Sequence, residues 1–207
     1  MGVDKLWCDV GGRPLLALTL DGLASGGFDA VVIAAPPERW DAIAQLVRER
    51  GLPDPLLVEG GARRQDSVRL AAEHCAGFDW VCVHDAARPL VTGELVRRVL
   101  DGAQATAAAT TAVPCIDTIK QVRDDHVLRT LDRSELMATQ TPQAFRTTLL
   151  QQAHEHALAQ GVLGDDDASL VERLGVSVAV VAGDPRNVKV THPHDLDLIR
   201  ALCGVAV

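Results

Sequence analysis

Val81-Cys82-Val83-His84-Asp85-Ala86-Ala87-Arg88-Pro89 is the stretch on which the fold turns. Its apolar start follows a polar, helix-like segment and reads as a central strand of a parallel sheet. In open α/β sheets, ligands bind just past the carboxyl ends of such strands. Asp85 and Arg88 stand there with only Ala86 and Ala87 between them, small residues that let a ligand approach the backbone. Pro89 fixes the exit of the chain and disfavours helix at Arg88. Two readings stay open on this stretch alone. Either the carboxylate and guanidinium face a ligand, or Asp85 caps the next helix and Arg88 is a surface residue.

Toward the N-terminus, a helix from Ser67 leads into this strand. Before it lies Glu59-Gly60-Gly61-Ala62-Arg63-Arg64-Gln65-Asp66-Ser67, a glycine turn entering a helix with Asp66 or Ser67 as the expected cap. Helix starts attract anions, and two adjacent arginines strengthen a case for a phosphate or a polar base. Leu56–Val58 and Asp29–Ala35 read as strands, and Pro36-Pro37 opens a helix through about Arg50. A further helix runs from Arg13-Pro14 to about Gly26, with proline suited to its first turn. Lys5 arrives with no strand before it.

Toward the C-terminus, helices are expected over about 92–105, after Phe145 to about Gln160, after Asp165-Asp166-Asp167, and from about Pro193. The three aspartates fit a helix N-terminus better than a metal site. Thr106–Val113 and Ser177–Ala182 read as strands. Residues 116–122 and 127–131 flank the polar turn Arg123-Asp124-Asp125-His126, a hairpin pattern. An isolated hairpin is marginal, so this one is expected to pack on something such as a second subunit. The alternation as a whole predicts a doubly wound, mostly parallel α/β sheet with a projecting β-hairpin arm, in one domain over 1–207 with the arm at 115–139.

Composition narrows the function. The chain carries 20 Lys and Arg against 28 Asp and Glu, a net charge of −8, which argues against a general nucleic-acid binder. Aromatic residues make up only 3%, so the core must be Ala, Val and Leu. The five cysteines are scattered with no C-x-x-C, and read as reduced thiols in a cytoplasmic protein. No apolar run is long enough to span a membrane, and Met1-Gly2-Val3-Asp4-Lys5 lacks a signal-peptide core. His154/His156 and His192/His194 have the wrong spacing for two ligands on one helix face, so no zinc is expected. P-loop, G-x-G-x-x-G and G-x-S-x-G motifs are absent from the sequence.

Seven short stretches, in order along the chain, resemble one family. They are Asp4-Lys5, Gly60-Gly61-x-x-Arg64-x-x-Ser67-Val68, His84-Asp85-Ala86-Ala87-Arg88-Pro89, Asp117-Thr118-Ile119-Lys120, Thr130-Leu131-Asp132-Arg133-Ser134, Gln140-Thr141-Pro142-Gln143 and Asn187-Val188-Lys189-Val190-Thr191. The chain is thereby similar to the 2-C-methyl-D-erythritol 4-phosphate cytidylyltransferases of non-mevalonate isoprenoid synthesis. The resemblance implies a nucleotide-diphospho-sugar transferase-like fold. It also implies transfer of CMP from CTP to a sugar-alcohol phosphate, with release of pyrophosphate and with Mg²⁺. A ribitol-5-phosphate cytidylyltransferase shares the glycine motifs and is the nearest alternative; a non-catalytic nucleotide-binding oligomer is the other.

Carried over by resemblance, Gly60, Gly61, Ala62 and Ser67 border the cytosine. Asp85 lies by the ribose and acceptor and is the one carboxylate nominated near the metal. Lys5 and Lys189 hold the triphosphate and the charge developing at the α-phosphorus. Arg88, Thr118, Arg133 and Thr141 hold the acceptor, with Thr118 and Arg133 reaching a neighbouring subunit's site through the arm of a homodimer. The chemistry suits these residue types: a phosphate monoester is already a nucleophile and needs charge screening and alignment rather than a strong base. The chain departs from the family at its start. Of an opening strand and a loop resembling A-A-G-x-G-x-R-M-G, only Met1-Gly2 is recognisable. A chain without that loop is expected to handle CTP poorly and to leave the strand at Val83 short of a neighbour.

Overall fold

The computed structural model describes residues 4–205. Met1-Gly2, likened above to part of the family's loop, lies outside them. A short 3-10 turn at Lys5–Trp7 precedes helix α1 (Leu15–Ala24), whose N-cap is Pro14. Strand β1 (Val32–Ala34), helix α2 (Trp40–Arg48) and strand β2 (Leu56–Val58) follow. Next come α3 (Arg64–Glu73), β3 (Trp80–Val83), α4 (Gly93–Thr106) and β4 (Ala108–Pro114). Strands β5 (Lys120–Arg123) and β6 (His126–Thr130) form a hairpin. Strand β7 (Met137–Arg146), helices α5 (Thr147–Ala159) and α6 (Asp167–Glu172), strand β8 (Ala179–Ala182) and helix α7 (Pro193–Leu202) complete the chain.

The sheet is mixed rather than mostly parallel. Four strands run in the order β3-β7-β4-β8, with β7 antiparallel to both its neighbours and only β4 and β8 parallel. Strands β1 and β2 form a separate parallel pair. The departure comes from β7, which has no strand signal in the sequence. Its middle, Gln140-Thr141-Pro142-Gln143, lacks alternation and contains a proline, and both features argue against an interior strand. The structure accommodates them with a bulge. The ladder jumps from Thr110↔Gln143 to Thr111↔Gln140, so the cis-linked Thr141-Pro142 falls outside the pairing and the missing N–H of proline leaves no gap. The buried glutamines find partners: Gln143 Nε2 donates to Thr110 Oγ1 at 2.9 Å and Asp166 Oδ2 at 2.7 Å, and Gln140 Nε2 to the Asp184 carbonyl at 2.9 Å.

Both faces of this sheet are covered, which explains its small apolar residues. On β7, Phe145 enters one cluster with Leu150, Ala153, Leu170 and Val171 of α5 and α6. Ala144, one residue earlier and so on the opposite face, joins Val99 and Ala103 of α4. Helix α4 lies close to the sheet: a Cβ on Gly102 would stand 2.5 Å from Val181. Helix α1 packs its leucines against α2, β1 and the Leu52 loop in a third cluster.

Two expected caps shift. Helix α3 starts at Arg64 with Arg63 as N-cap, so Asp66 and Ser67 lie inside its first turn. Strand β3, central by its sequence pattern, lies at one edge of its sheet: among the described residues it pairs only with β7. Among the described residues the hairpin β5–β6 pairs with no other strand, and it is exposed along both strands. No helix among the described residues is long and apolar enough to cross a membrane.

The edge position of β3 has a measurable consequence. The Thr147 N–H donates to the Asp79 carbonyl, and antiparallel pairs alternate, so Val81 and Val83 turn their amides toward β7 and Cys82 turns its amide away. Amide exchange followed by NMR is expected to be faster at Cys82 than at Val81 and Val83 by at least about tenfold, because an unpaired ladder group exchanges without opening the sheet. Equal protection at the three amides would place a further strand on this edge.

Candidate functional site

The turn leaving β3 is held from every side. Arg88 N–H donates to the Asp85 carbonyl at 2.9 Å, and Thr19 Oγ1 on α1 donates to the Ala86 carbonyl at 2.7 Å. Val190 N–H donates to the Ala87 carbonyl at 2.8 Å, joining the turn to the Asn187–Thr191 segment. Asp85 N–H donates to Thr141 Oγ1 at 3.0 Å. His84 Nε2 lies 3.2 Å from the Arg88 carbonyl, which can only accept, so Nε2 carries the proton and Nδ1 accepts from the Thr141 hydroxyl at 3.1 Å. Burial, the largest influence, pushes the His84 pKa down to about 4, so the neutral ring is the form that braces the turn.

At the centre of the site is the Asp85 carboxylate. Its Oδ1 accepts from Arg64 Nε at 2.6 Å and its Oδ2 lies 2.7 Å from Lys189 Nζ. Burial would raise its pKa, but the two cations prevail and hold it down at about 2. Arg64 reaches further: its Nη2 donates to Asp167 Oδ2 at 2.8 Å, and Asp167 Oδ1 lies 3.0 Å from His154 Nε2. Burial pulls the Arg64 pKa down, yet Asp167 and Asp85 together keep it raised. Arg88 differs. Burial lowers its pKa, no carboxylate pairs with it among the described residues, and its Nε is buried without a partner. Its Nη1 donates to the Asn187 carbonyl at 2.8 Å. Lys5 Nζ donates to the Val190 carbonyl at 2.9 Å, one residue from Lys189. Lys5, Arg64, Arg88 and Lys189 against Asp85 and Asp167 give a locally positive patch in a chain of net charge −8.

The glycine turn joins this patch through α3. Gly61 N–H donates to Ser67 Oγ at 3.0 Å, and Ser67 Oγ to the Arg63 carbonyl at 3.1 Å. A Cβ on Gly61 would lie 2.4 Å from the Asp66 Cβ, so the turn closes only with glycine there. Gly60 and Ala62 flank it, and Arg64 in the first turn of α3 reaches across to Asp85. An open cleft of about 500 Å³ borders Gly60, and its lining, which includes Leu57, Glu59, Leu70, Glu73 and His74, contains none of Lys5, Arg64, Arg88 and Lys189. The site is therefore a charged strand end rather than a preformed cavity.

The structure gives several of the expected site residues partners within the chain. The glycine turn suggests an anion beside Arg63 and Arg64, but Arg63 pairs with Asp66 and Arg64 with two carboxylates. Thr141 is only 4% exposed and its hydroxyl is committed to Asp85 and His84, so it shapes the turn from beneath. Thr118 and Arg133 sit on the exposed hairpin segment. Arg133 Nη1 donates to the Ile116 carbonyl, and neither residue bonds to Asp85, Arg88 or Lys189. Asp166 caps α6 by accepting from Ser169 N–H, as an acidic helix start suggests. The sequence raises Asp167 and His154 only as metal candidates and sets both aside; their contacts with each other and with Arg64 join distant elements and leave no local pattern. No group of three or more His, Cys, Asp or Glu fit to hold a metal occurs among the described residues. Asp85 offers hard oxygen donors, both already facing cations.

Comparison with known proteins converges on one family. A family model described as 2-C-methyl-D-erythritol 4-phosphate cytidylyltransferase matches residues 1–204. The protein of that name from Bacillus cytotoxicus is 40% identical over 197 residues, covering 94% of this chain and 87% of that protein. The one from Geobacillus kaustophilus is 40% identical over 203 residues, covering 97% and 89%. The crystal structure of the Thermus thermophilus protein of that name superposes with a TM-score of 0.81 at 39% identity, covering 97% of this chain and 94% of the other.

The neutral His84 ring makes acid sensitivity specific. Its pKa in the folded chain lies below the ordinary value of 6.5, so folding disfavours its protonation. Its contribution is complete above pH 6.5 and is lost as pH falls toward 4. Denaturant unfolding is expected to show stability falling across that window. His84→Gln, whose amide does not titrate, should remove up to about 1.4 kcal/mol per pH unit from the slope. Identical slopes in the two proteins would mean that His84 protonates freely in the folded state.

Proposed function

The chain belongs to the 2-C-methyl-D-erythritol 4-phosphate cytidylyltransferase family, and from that premise we propose how its residues perform the transfer. The enzyme moves CMP from CTP to 2-C-methyl-D-erythritol 4-phosphate and releases pyrophosphate. An acceptor phosphate oxygen attacks the α-phosphorus of CTP. A new P–O bond forms there as the bond to the bridging oxygen breaks, and pyrophosphate leaves with the electron pair. No proton need move, so the protein's task is to screen like charges and hold the partners in line.

Lys189 and Lys5 meet the triphosphate, and Lys189 carries the main argument. Its ammonium rests 2.7 Å from Asp85 Oδ2 on a 40% exposed side chain, so it can turn to an arriving phosphate while Arg64 keeps hold of Oδ1. Asp85 Oδ2 is then free to face the ribose or the acceptor, and it is the carboxylate that would hold a Mg²⁺, an ion that takes few protein carboxylates. Such an ion supplies charge neutralisation on the phosphates. Arg88, a half-buried guanidinium with no carboxylate partner among the described residues, suits the anionic acceptor. The backbone of Gly60, Gly61 and Ala62, with Ser67 beneath, suits the cytosine. Thr141 acts by holding Asp85.

The hairpin segment is read as an arm across a cytoplasmic homodimer. Ile116 is 82% exposed, and Val122, Val127, Leu128 and Met137 are also exposed, an apolar surface that favours burial against a second copy. Thr118 and Arg133 would then serve the partner's acceptor site.

Pyrophosphate release with CTP and 2-C-methyl-D-erythritol 4-phosphate tests the reading, with ribitol 5-phosphate as the competing acceptor; turnover of ribitol 5-phosphate alone would reject it. Lys189→Ala is expected to lower the rate by about 10²–10³, the usual cost of a lost donor at developing charge. Arg133→Ala should be similarly impaired. After subunit exchange, a mixture of the two variants should regain part of the activity, because one site of each mixed dimer is intact. Absence of recovery with exchange demonstrated would place Arg133 in its own subunit's site or outside any site.

A further inference from the structure

Behind Asp85 runs a chain of polar contacts, from Arg64 to Asp167 to His154, that the transfer does not touch. His154 on α5 and Asp167 on α6 are each 1% exposed. Asp167 stands at the start of α6, but Asp166 already caps that helix by accepting from Ser169 N–H at 2.8 Å. Helix capping therefore does not account for burying a second carboxylate. Stability is a weak account too, since buried ion pairs are often matched or bettered by apolar packing. Instead, one oxygen of Asp167 takes the His154 ring and the other takes Arg64 Nη2, and the same guanidinium gives its Nε to Asp85.

We propose that Asp167, oriented by His154, is a positioning residue for nucleotidyl transfer: it fixes Arg64, which keeps Asp85 in place when Lys189 turns to the nucleotide. The proposal rests on the reading of Asp85 and Lys189 given above. A guanidinium is a planar, rigid fork, so fixing one prong on a buried carboxylate fixes the other. Lys189 is the partner that exchanges, being the more exposed of the two cations on Asp85. Arg64 is the partner that stays. Without Asp167, Arg64 would hold a single carboxylate and could follow it, and Asp85 would lose its reference point just as Lys189 leaves.

Asp167→Asn keeps the size and hydrogen-bonding shape of the side chain and removes its charge; Asp167→Glu keeps the charge. A displacement of about 1 Å at a reacting centre can cost about a hundredfold, so Asp167→Asn is expected to lower kcat roughly tenfold to hundredfold. KM for CTP should stay within about twofold, the pattern of an interaction that matters in the transition state. Asp167→Glu should keep more of kcat than Asp167→Asn. NMR supplies a second reading without turnover: the Arg64 Nε–H resonance, slow to exchange in the unaltered chain, should exchange faster in Asp167→Asn. An unchanged kcat would overturn the proposal, as would unchanged Arg64 exchange. So would a kcat loss matched by an equal loss of CTP-binding sites counted by calorimetry, because misfolding would then explain it. An unaltered chain that binds CTP but transfers nothing would reject the transfer reading and the proposal's catalytic part with it, while Arg64 exchange still decides whether Asp167 holds the guanidinium.

Discussion

The Asp85 carboxylate, pulled from two sides by Arg64 and Lys189, is the interaction on which the site depends. A carboxylate left half-buried at a strand end without partners would lose several kcal/mol of hydration and would protonate instead. Here each oxygen faces a cation, and the pair of contacts ties three remote parts of the chain to one point. Helix α3 brings Arg64 and, with it, the glycine turn. The segment after β8 brings Lys189 and, one residue on, the backbone that receives Lys5 and meets the turn. The two cations differ in a useful way. Arg64 is anchored at both prongs, whereas Lys189 is a flexible point charge that a phosphate can recruit.

The turn that carries Asp85 is braced by neutral groups. His84, Thr141 and the Arg88 carbonyl share one proton arrangement, with each donor facing an acceptor. That bracing depends on β7, a strand rich in threonine and glutamine whose side chains have few apolar neighbours to attract them. They are buried because neighbouring elements satisfy them: Gln143 by Thr110 of β4 and by Asp166 and Ala168 at the start of α6, and Gln140 by Asp184. A polar strand so placed links the Asp85 turn to the start of α6, and hence to Asp167. The positive charge at the strand end stands out against an acidic chain, so attraction for an anion is local to that end of the strand.

The amino-acid sequence by itself determined most of the helices and outer strands, because apolar periodicity and Pro or Gly punctuation are local signals. It also determined the family, since His84–Pro89, Gly60–Ser67 and Asn187–Thr191 each carry short-range patterns. Asp85, Arg88 and Lys189 stand in those patterns, so the sequence nominated them as candidates on that basis. Only the tertiary structure decided that β7 is a strand at all, because its pairing depends on a bulge opposite Thr110 and Thr111 and on side-chain partners far along the chain. The antiparallel β7 made the sheet mixed and left β3 at an edge among the described residues. Tertiary structure likewise showed Arg64, expected beside an anion, bridging two carboxylates of the chain, and the Thr141 hydroxyl bonded to Asp85 and His84. Arg64 and Asp167 are 103 positions apart. No local pattern reports such a pair, because burial and charge neutralisation are properties of the folded neighbourhood.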